Sequence, residues 1–102
     1  MSKKILEVKF HYSVSTPELE AGAEPLINQV ANVPGLIWKI WILNERDQIT
    51  GGIYYFEDEE DARAYVDGPV FAQVKGSPVF SDFQVKMFDP MDRPSQSTRA
   101  PL

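Results

Sequence analysis

The chain has 102 residues, enough for one domain with a real but thin core. Its net charge of −5, with basic residues scattered and no Lys/Arg run longer than Lys3-Lys4, argues against nucleic acid and anionic membrane as partners. It has no cysteine and a single histidine, His11, so disulfides and thiolate sites are excluded and zinc sites or Cys/His haem motifs are poor candidates; a lone axial His11 stays open.

No apolar run approaches the ~18 residues of a membrane span. The charged, alternating start from Met1 to Phe10 is unlike a secretory leader, so a cytoplasmic protein is the expectation. From Lys4 to Tyr12, Leu6, Val8, Phe10 and Tyr12 alternate with Glu7, Lys9 and His11, the pattern of a half-buried strand. Thr16 as cap and Pro17 in the first turn start a helix carrying Leu19, Ala23, Leu26, Ile27 and Val30 at helical spacing. Pro25 removes a backbone donor inside it and predicts a kink or restart. Asn32-Val33-Pro34-Gly35 ends the helix, because the residue before proline avoids the helical region.

Leu36 to Leu43 reads as the second strand, Asn44 to Gln48 as a turn and Ile49 to Phe56 as the third strand, antiparallel to the second. Asp58 caps a helix whose first turn, Glu59-Glu60-Asp61, places carboxylates where the helix dipole favours them; a metal cluster is the weaker reading of that run. Ala62, Tyr65 and Val66 form its apolar side. Gly68-Pro69 breaks it, and Val70 to Lys75 adds a turn or two before Gly76. Val79 to Phe88 is the last strand. The order β-α-β-β-α-β defines an α+β, ferredoxin-like domain over residues 1–88, with an antiparallel sheet in spatial order 4-1-3-2 and helices on one face. Residues 89–102 shift towards Pro, Ser, Asp and Arg and read as an extended tail, an arm for a partner subunit with Met91 and Leu102 as anchors.

The central hairpin predicts Trp38 opposite Tyr55, Lys39 opposite Tyr54, Ile40 opposite Ile53 and Trp41 opposite Gly52. Leu36, Trp38, Ile40, Ile53 and Tyr55 then share one face, expected beneath the helices. Ile37, Lys39, Trp41, Tyr54 and Phe56 share the other, with Gly52 leaving room for the Trp41 ring. That second face is too apolar to stay bare. A second copy packed face to face would cover it and make a homodimeric α/β barrel, with Glu7, Lys9, His11, Lys39 and Tyr54 turned into a partly polar interior.

The run Pro34-Gly35-Leu36-Ile37-Trp38-Lys39-Ile40-Trp41, followed by Gly51-Gly52-Ile53-Tyr54-Tyr55-Phe56, resembles the YdhR family of proposed mono-oxygenases. Asp58-Glu59, Ala64-Tyr65, Val85-Lys86-Met87-Phe88-Asp89 and Ser95-Gln96 extend the resemblance over nearly the whole chain. It implies a dimeric α/β barrel of the antibiotic-biosynthesis mono-oxygenase type, using no flavin, haem or metal. In such chemistry a deprotonated phenol or enol itself reduces O₂.

A site of that kind needs an apolar pocket, flat walls and one base or anion stabiliser. Lys39, His11 and Tyr54 are the candidate catalytic residues; Trp38, Trp41 and Tyr55 are the candidate substrate-binding walls. Each has a structural alternative: core filling for Trp38, dimer packing for Trp41, a snorkelled or Glu7-paired Lys39, and a solvated rim position for His11. No GxGxxG, GxxxxGK[ST] or GxSxG run is present, and no metal or cofactor is expected. The leading reading is a cofactor-independent mono-oxygenase for a small aromatic or polycyclic phenol. The alternatives are a non-catalytic dimer binding a small aromatic ligand and a structural dimerisation module.

Overall fold

The computed structural model describes residues 2–102, leaving Met1 outside. The chain runs β1 (Lys4–Tyr12), α1 (Thr16–Ala31), β2 (Leu36–Asn44), β3 (Ile49–Phe56), α2 (Glu59–Val66), α3 (Pro69–Lys75), β4 (Phe80–Phe88) and α4 (Asp92–Ser97). The strands form one antiparallel sheet in the order β2-β3-β1-β4, a ferredoxin-like α+β arrangement.

Local chemistry sets the helix ends. Ser15, one residue before the expected Thr16, caps α1: its Oγ accepts from the Glu18 backbone N–H at 3.3 Å, and the Glu18 carboxylate accepts from the Ser15 N–H at 3.4 Å. Pro25 does not break α1, which continues across it as one helix. The backbone acceptor deprived of its partner belongs to Ala21, which is exposed and can be satisfied by solvent. Asp58 caps α2 as expected, its carboxylate accepting from the Asp61 N–H at 2.9 Å.

The hairpin register is the predicted one from Trp38 opposite Tyr55 to Trp41 opposite Gly52. An irregularity between Leu36 and Trp38 brings Leu36 opposite Phe56, so Leu36 packs on the core instead of sharing the Trp38 face. The larger correction concerns the faces. β1 pairs Leu6 with Tyr54 and Val8 with Gly52. Directly opposed residues share a face, so the buried line Leu6, Val8, Phe10 and Tyr12 carries Tyr54 and Phe56 under the helices. Their β2 partners Lys39 and Trp41 lie on the same side, Trp41 on the edge strand and 43% exposed. The face with Trp38, Ile40, Ile53 and Tyr55, together with Glu7, Lys9 and His11, is the one the helices leave open.

The tail is not extended throughout. Asp92–Ser97 forms α4, and the chain then returns to its own sheet, where the Trp38 indole N–H donates to the Pro101 carbonyl at 3.0 Å. Tyr55, whose ring lies 5.3 Å from that of Trp38, is only 3% exposed although it belongs to the open face. Met91 is 73% exposed and anchors nothing within the chain.

Candidate functional site

The helices cover their face unevenly. β1, α2 and α3 close an aromatic core in which Phe10 stacks on Phe83 at 4.7 Å and Tyr65 on Phe71 at 5.7 Å. α1 buries only Val30 among its apolar residues. Its Leu19, Ala23 and Leu26 look across a space of about 580 Å³ towards α3 and towards the sheet at Lys39, Trp41 and Tyr54. That volume lies within the ~300–1,000 Å³ of ordinary small-molecule pockets.

Lys39 is the one cation on the sheet wall of this cavity. Its Nζ lies 3.4 Å from the Trp41 ring centroid and 4.6 Å from that of Tyr54. The glycine opposite Trp41 serves the lysine and not, as expected, the indole: a Cβ at Gly52 would collide with Lys39 Cε and press on the Tyr54 ring at 3.1 Å. No carboxylate forms an ion pair with Lys39 among the described residues. Burial therefore brings its pKa down to about 7. The Trp41 face favours the ammonium and pulls the other way, by about 0.5–2 kcal/mol for such contacts.

Behind Lys39, the Tyr54 and Tyr65 hydroxyls meet at 2.7 Å. Burial, reinforced by the Tyr65 hydroxyl, raises the Tyr54 pKa far above that of a free phenol; burial raises Tyr65 as well. Both stay neutral phenols at physiological pH. Two hydroxyls carry two hydrogens, and their mutual bond uses one. The other is donated to no residue among those described. The site thus offers a partly deprotonated amine, a spare phenolic donor and flat walls around an apolar space. That set can accept a proton from an acidic substrate and stabilise the oxygen left behind.

Over residues 5–101 the chain matches the family described as "Putative mono-oxygenase ydhR". The chain belongs to the YdhR family. No curated protein sequence matches it. Among solved structures, it is similar to the cofactor-independent oxygenase SnoaB of Streptomyces nogalater, at 14% identity and TM-score 0.72 over 90% of this chain and 96% of that one. The protein SO0527 of Shewanella oneidensis gives 13% identity and TM-score 0.71, over 87% and 91% of the two chains. A variant of MhuD with two manganese protoporphyrin IX molecules bound per active site gives 19% and 0.68, over 86% and 94%. At these identities the structural likeness establishes the fold.

Within this YdhR-family fold, Lys39, Trp41 and Tyr54 meet around the cavity, while Trp38, Tyr55 and His11 lie on the opposite face. The indole N–H of Trp38 is already taken by Pro101, and Tyr55 is buried. The acidic run behaves as a helix start, and no group of His, Asp or Glu among the described residues is placed to hold a metal ion. No helix among them is long and apolar enough to cross a membrane. Tyr65 is the residue the sequence reading passed over, counting it only as part of an apolar helix side. A signal was available: a tyrosine on the buried side of a short helix needs a partner for its hydroxyl, and Tyr54 is one.

Proposed function

We propose that the protein is a cofactor-independent mono-oxygenase that binds a flat, electron-rich phenol or enol between α1, α3 and the covered sheet face. The observation that carries this reading is Lys39: an amine without a carboxylate partner, laid on an aromatic wall inside an apolar cavity. Family membership and the fold shared with SnoaB support it.

In this mechanism the free amine of Lys39 takes the acidic proton of the substrate. The ammonium so formed and the spare Tyr54–Tyr65 proton hold the resulting oxyanion. The substrate anion passes one electron to O₂, and the radical pair recombines as a carbon-bound peroxide. Where that carbon still carries a hydrogen, loss of water leaves a carbonyl. The Lys39 ammonium returns its proton to the peroxide, one oxygen atom enters the product and the other leaves as water, the two electron pairs coming from the acidic O–H or C–H bond broken first and the C–H bond broken last. His11 takes no part, since it faces away from the cavity; a porphyrin iron placed there would find no imidazole.

The assembly we propose is a homodimer through the open face. Ile40 is 53% and Phe88 47% exposed there, beside Trp38 and Ile53. A second copy of the same face is the simplest cover, burying about 1,000 Å² or more in total.

Oxygen uptake with simple hydroquinones and anthrones tests the activity, with ¹⁸O₂ tracing one labelled atom into product. Lys39→Met should fold, and should lower both phenol affinity and turnover by about tenfold or more, about 1.4 kcal/mol. Binding without oxygen uptake would make the protein a small-molecule binder. Equal affinities for wild type and Lys39→Met would remove Lys39 from the site.

A further inference from the structure

The same cavity carries chemistry that oxygenation does not use. We propose that Lys39 also captures carbonyl compounds, its amine condensing with a conjugated or aromatic aldehyde held in the cavity to form an imine. The proposal rests on the reading that flat aromatic molecules enter this cavity, and on three features of its wall.

The first is the contrast among the lysines. Lys4 is held by Asp89 and Glu59, and Lys9 lies 3.7 Å from Glu7, while Lys3, Lys75 and Lys86 make no ion pair among the described residues but stand exposed to water and line no part of the cavity. An amine in an ion pair is held as an ammonium, whose lone pair is committed to a proton. Lys39 has no such partner among the described residues and borders an apolar space, the surroundings that free an amine for attack. The second is position. The Lys39 stem crosses Gly52 and ends over the Trp41 ring, so Nζ meets the cavity between two aromatic rings, those of Trp41 and Tyr54, which frame a flat conjugated aldehyde. The third is the Tyr54–Tyr65 pair, at 2.7 Å, whose leftover hydrogen can bond the carbonyl oxygen and then the leaving hydroxyl.

The step balances without an oxidant or a metal. The amine lone pair forms a C–N bond to the carbonyl carbon, and proton transfer from nitrogen to oxygen gives the carbinolamine. The tyrosine pair hydrogen-bonds the hydroxyl while solvent supplies its proton, so oxygen leaves as water as the nitrogen lone pair forms C=N. Loss of the remaining amine proton to solvent balances the step. The site favours aldehydes and ketones conjugated to a ring, because most of the cavity lining is apolar and the amine sits beside aromatic rings, with Glu18, Glu20, Gln29 and Gln73 among its other lining residues.

The test uses the full chain, 6-methoxy-2-naphthaldehyde as probe and cyanoborohydride at pH 7 to reduce any imine to a stable amine. Intact mass should show one added naphthylmethyl group, and peptide mapping should place it on Lys39 at a rate at least tenfold above any other lysine. 2-Naphthol should compete and slow the labelling. Lys39→Arg, which keeps the cation, should lose the fast adduct. Adducts spread evenly over the lysines, or a fast adduct that survives Lys39→Arg, would overturn the proposal. Its failure is distinguishable from failure of the oxygenase reading. Missing oxygen uptake leaves fast labelling of Lys39 intact, whereas loss of selectivity with phenol oxidation retained removes carbonyl capture alone.

Discussion

Lys9 and Lys39, on opposite faces of one sheet, are treated in opposite ways. On the open face Lys9 lies 3.7 Å from Glu7, and the Trp38 indole N–H is satisfied by the Pro101 carbonyl. On the covered face Lys39 has no acidic partner, and one hydroxyl hydrogen of the Tyr54–Tyr65 pair goes to no described residue. A fold optimised for stability alone would fill the space under α1 with aliphatic side chains, since an uncompensated charge in an apolar setting costs several kcal/mol. Polar groups left without partners under a helix are where a ligand should be sought. Apolar groups left without cover on a sheet are where a partner should be sought.

The sharpest way to break this division is to put a charge on the open face. Ile40→Asp places a carboxylate in the proposed dimer interface, and two-fold symmetry makes it occur twice. The dimer dissociation constant should rise about a thousandfold or more, some 4 kcal/mol, while the monomer still binds phenols at Lys39. Sedimentation across a concentration series measures the first effect and fluorescence titration the second. A dimer that survives Ile40→Asp means the open face is not the interface. Ligand binding lost together with the dimer means the cavity is incomplete in one chain.

Two adjacent glycines sharpen the comparison next. Gly51 has φ of 152°, and a Cβ there would strike the Val8 carbonyl, which is backbone of the central strand. Gly51→Ala should therefore cost about 3 kcal/mol of stability, combining strain with a clash that cannot relax. At Gly52 the obstructing atom is Lys39 Cε, on a long and flexible side chain. Gly52→Ala should cost only about 1 kcal/mol but push Lys39 off Trp41, so ligand binding and fast Lys39 labelling fall more than stability does. Urea unfolding of both variants gives the ratio; equal costs would mean that the Lys39 stem is as fixed as the backbone.

Element order as far as β4, sheet topology and the hairpin register from Trp38 onward could be read from alternation, capping residues and the Gly-Pro breaks, because each is written in local pattern. The orientation of the hairpin could not be read from the hairpin itself. Both its faces are apolar, and its register is the same whichever side the helices take. What decides it is the pairing of β3 with β1, where Leu6 meets Tyr54. Only one side of β1 is apolar throughout, so the answer lies in a long-range pairing. Lys39, Trp41 and Tyr54 were legible as neighbours for the same reason that their face was not: cross-strand register fixes who meets whom and leaves open what lies above. The cavity was illegible, because nothing in the helical spacing of Leu19, Ala23 and Leu26 shows that α1 stands away from the sheet.

The smallest expected effect concerns the protonation of Lys39. An unfolded lysine titrates near 10.4, whereas burial holds Lys39 at about 7 in the folded chain. Between these values the unfolded chain binds a proton that the folded chain does not, so stability rises with pH across this window and is lost as pH falls through about 7. The limiting slope for one proton is about 1.4 kcal/mol per pH unit; partial exposure and the Trp41 ring reduce it, so a difference of about 1 kcal/mol between pH 7 and pH 9 is expected. Lys39→Met removes the titrating group and keeps most of the stem. Its stability curve should lie above that of the wild type at pH 7, and the gap should narrow by about 1 kcal/mol at pH 9. Confining the measurement below pH 9 keeps tyrosine ionisation in the unfolded chain out of the comparison. Chemical denaturation at closely spaced pH values is sufficient. Parallel curves would mean that the Trp41 ring holds Lys39 as a full ammonium. In that case the lysine would act in the site as an anion-binding cation, and neither proton abstraction nor imine formation could begin from it at neutral pH.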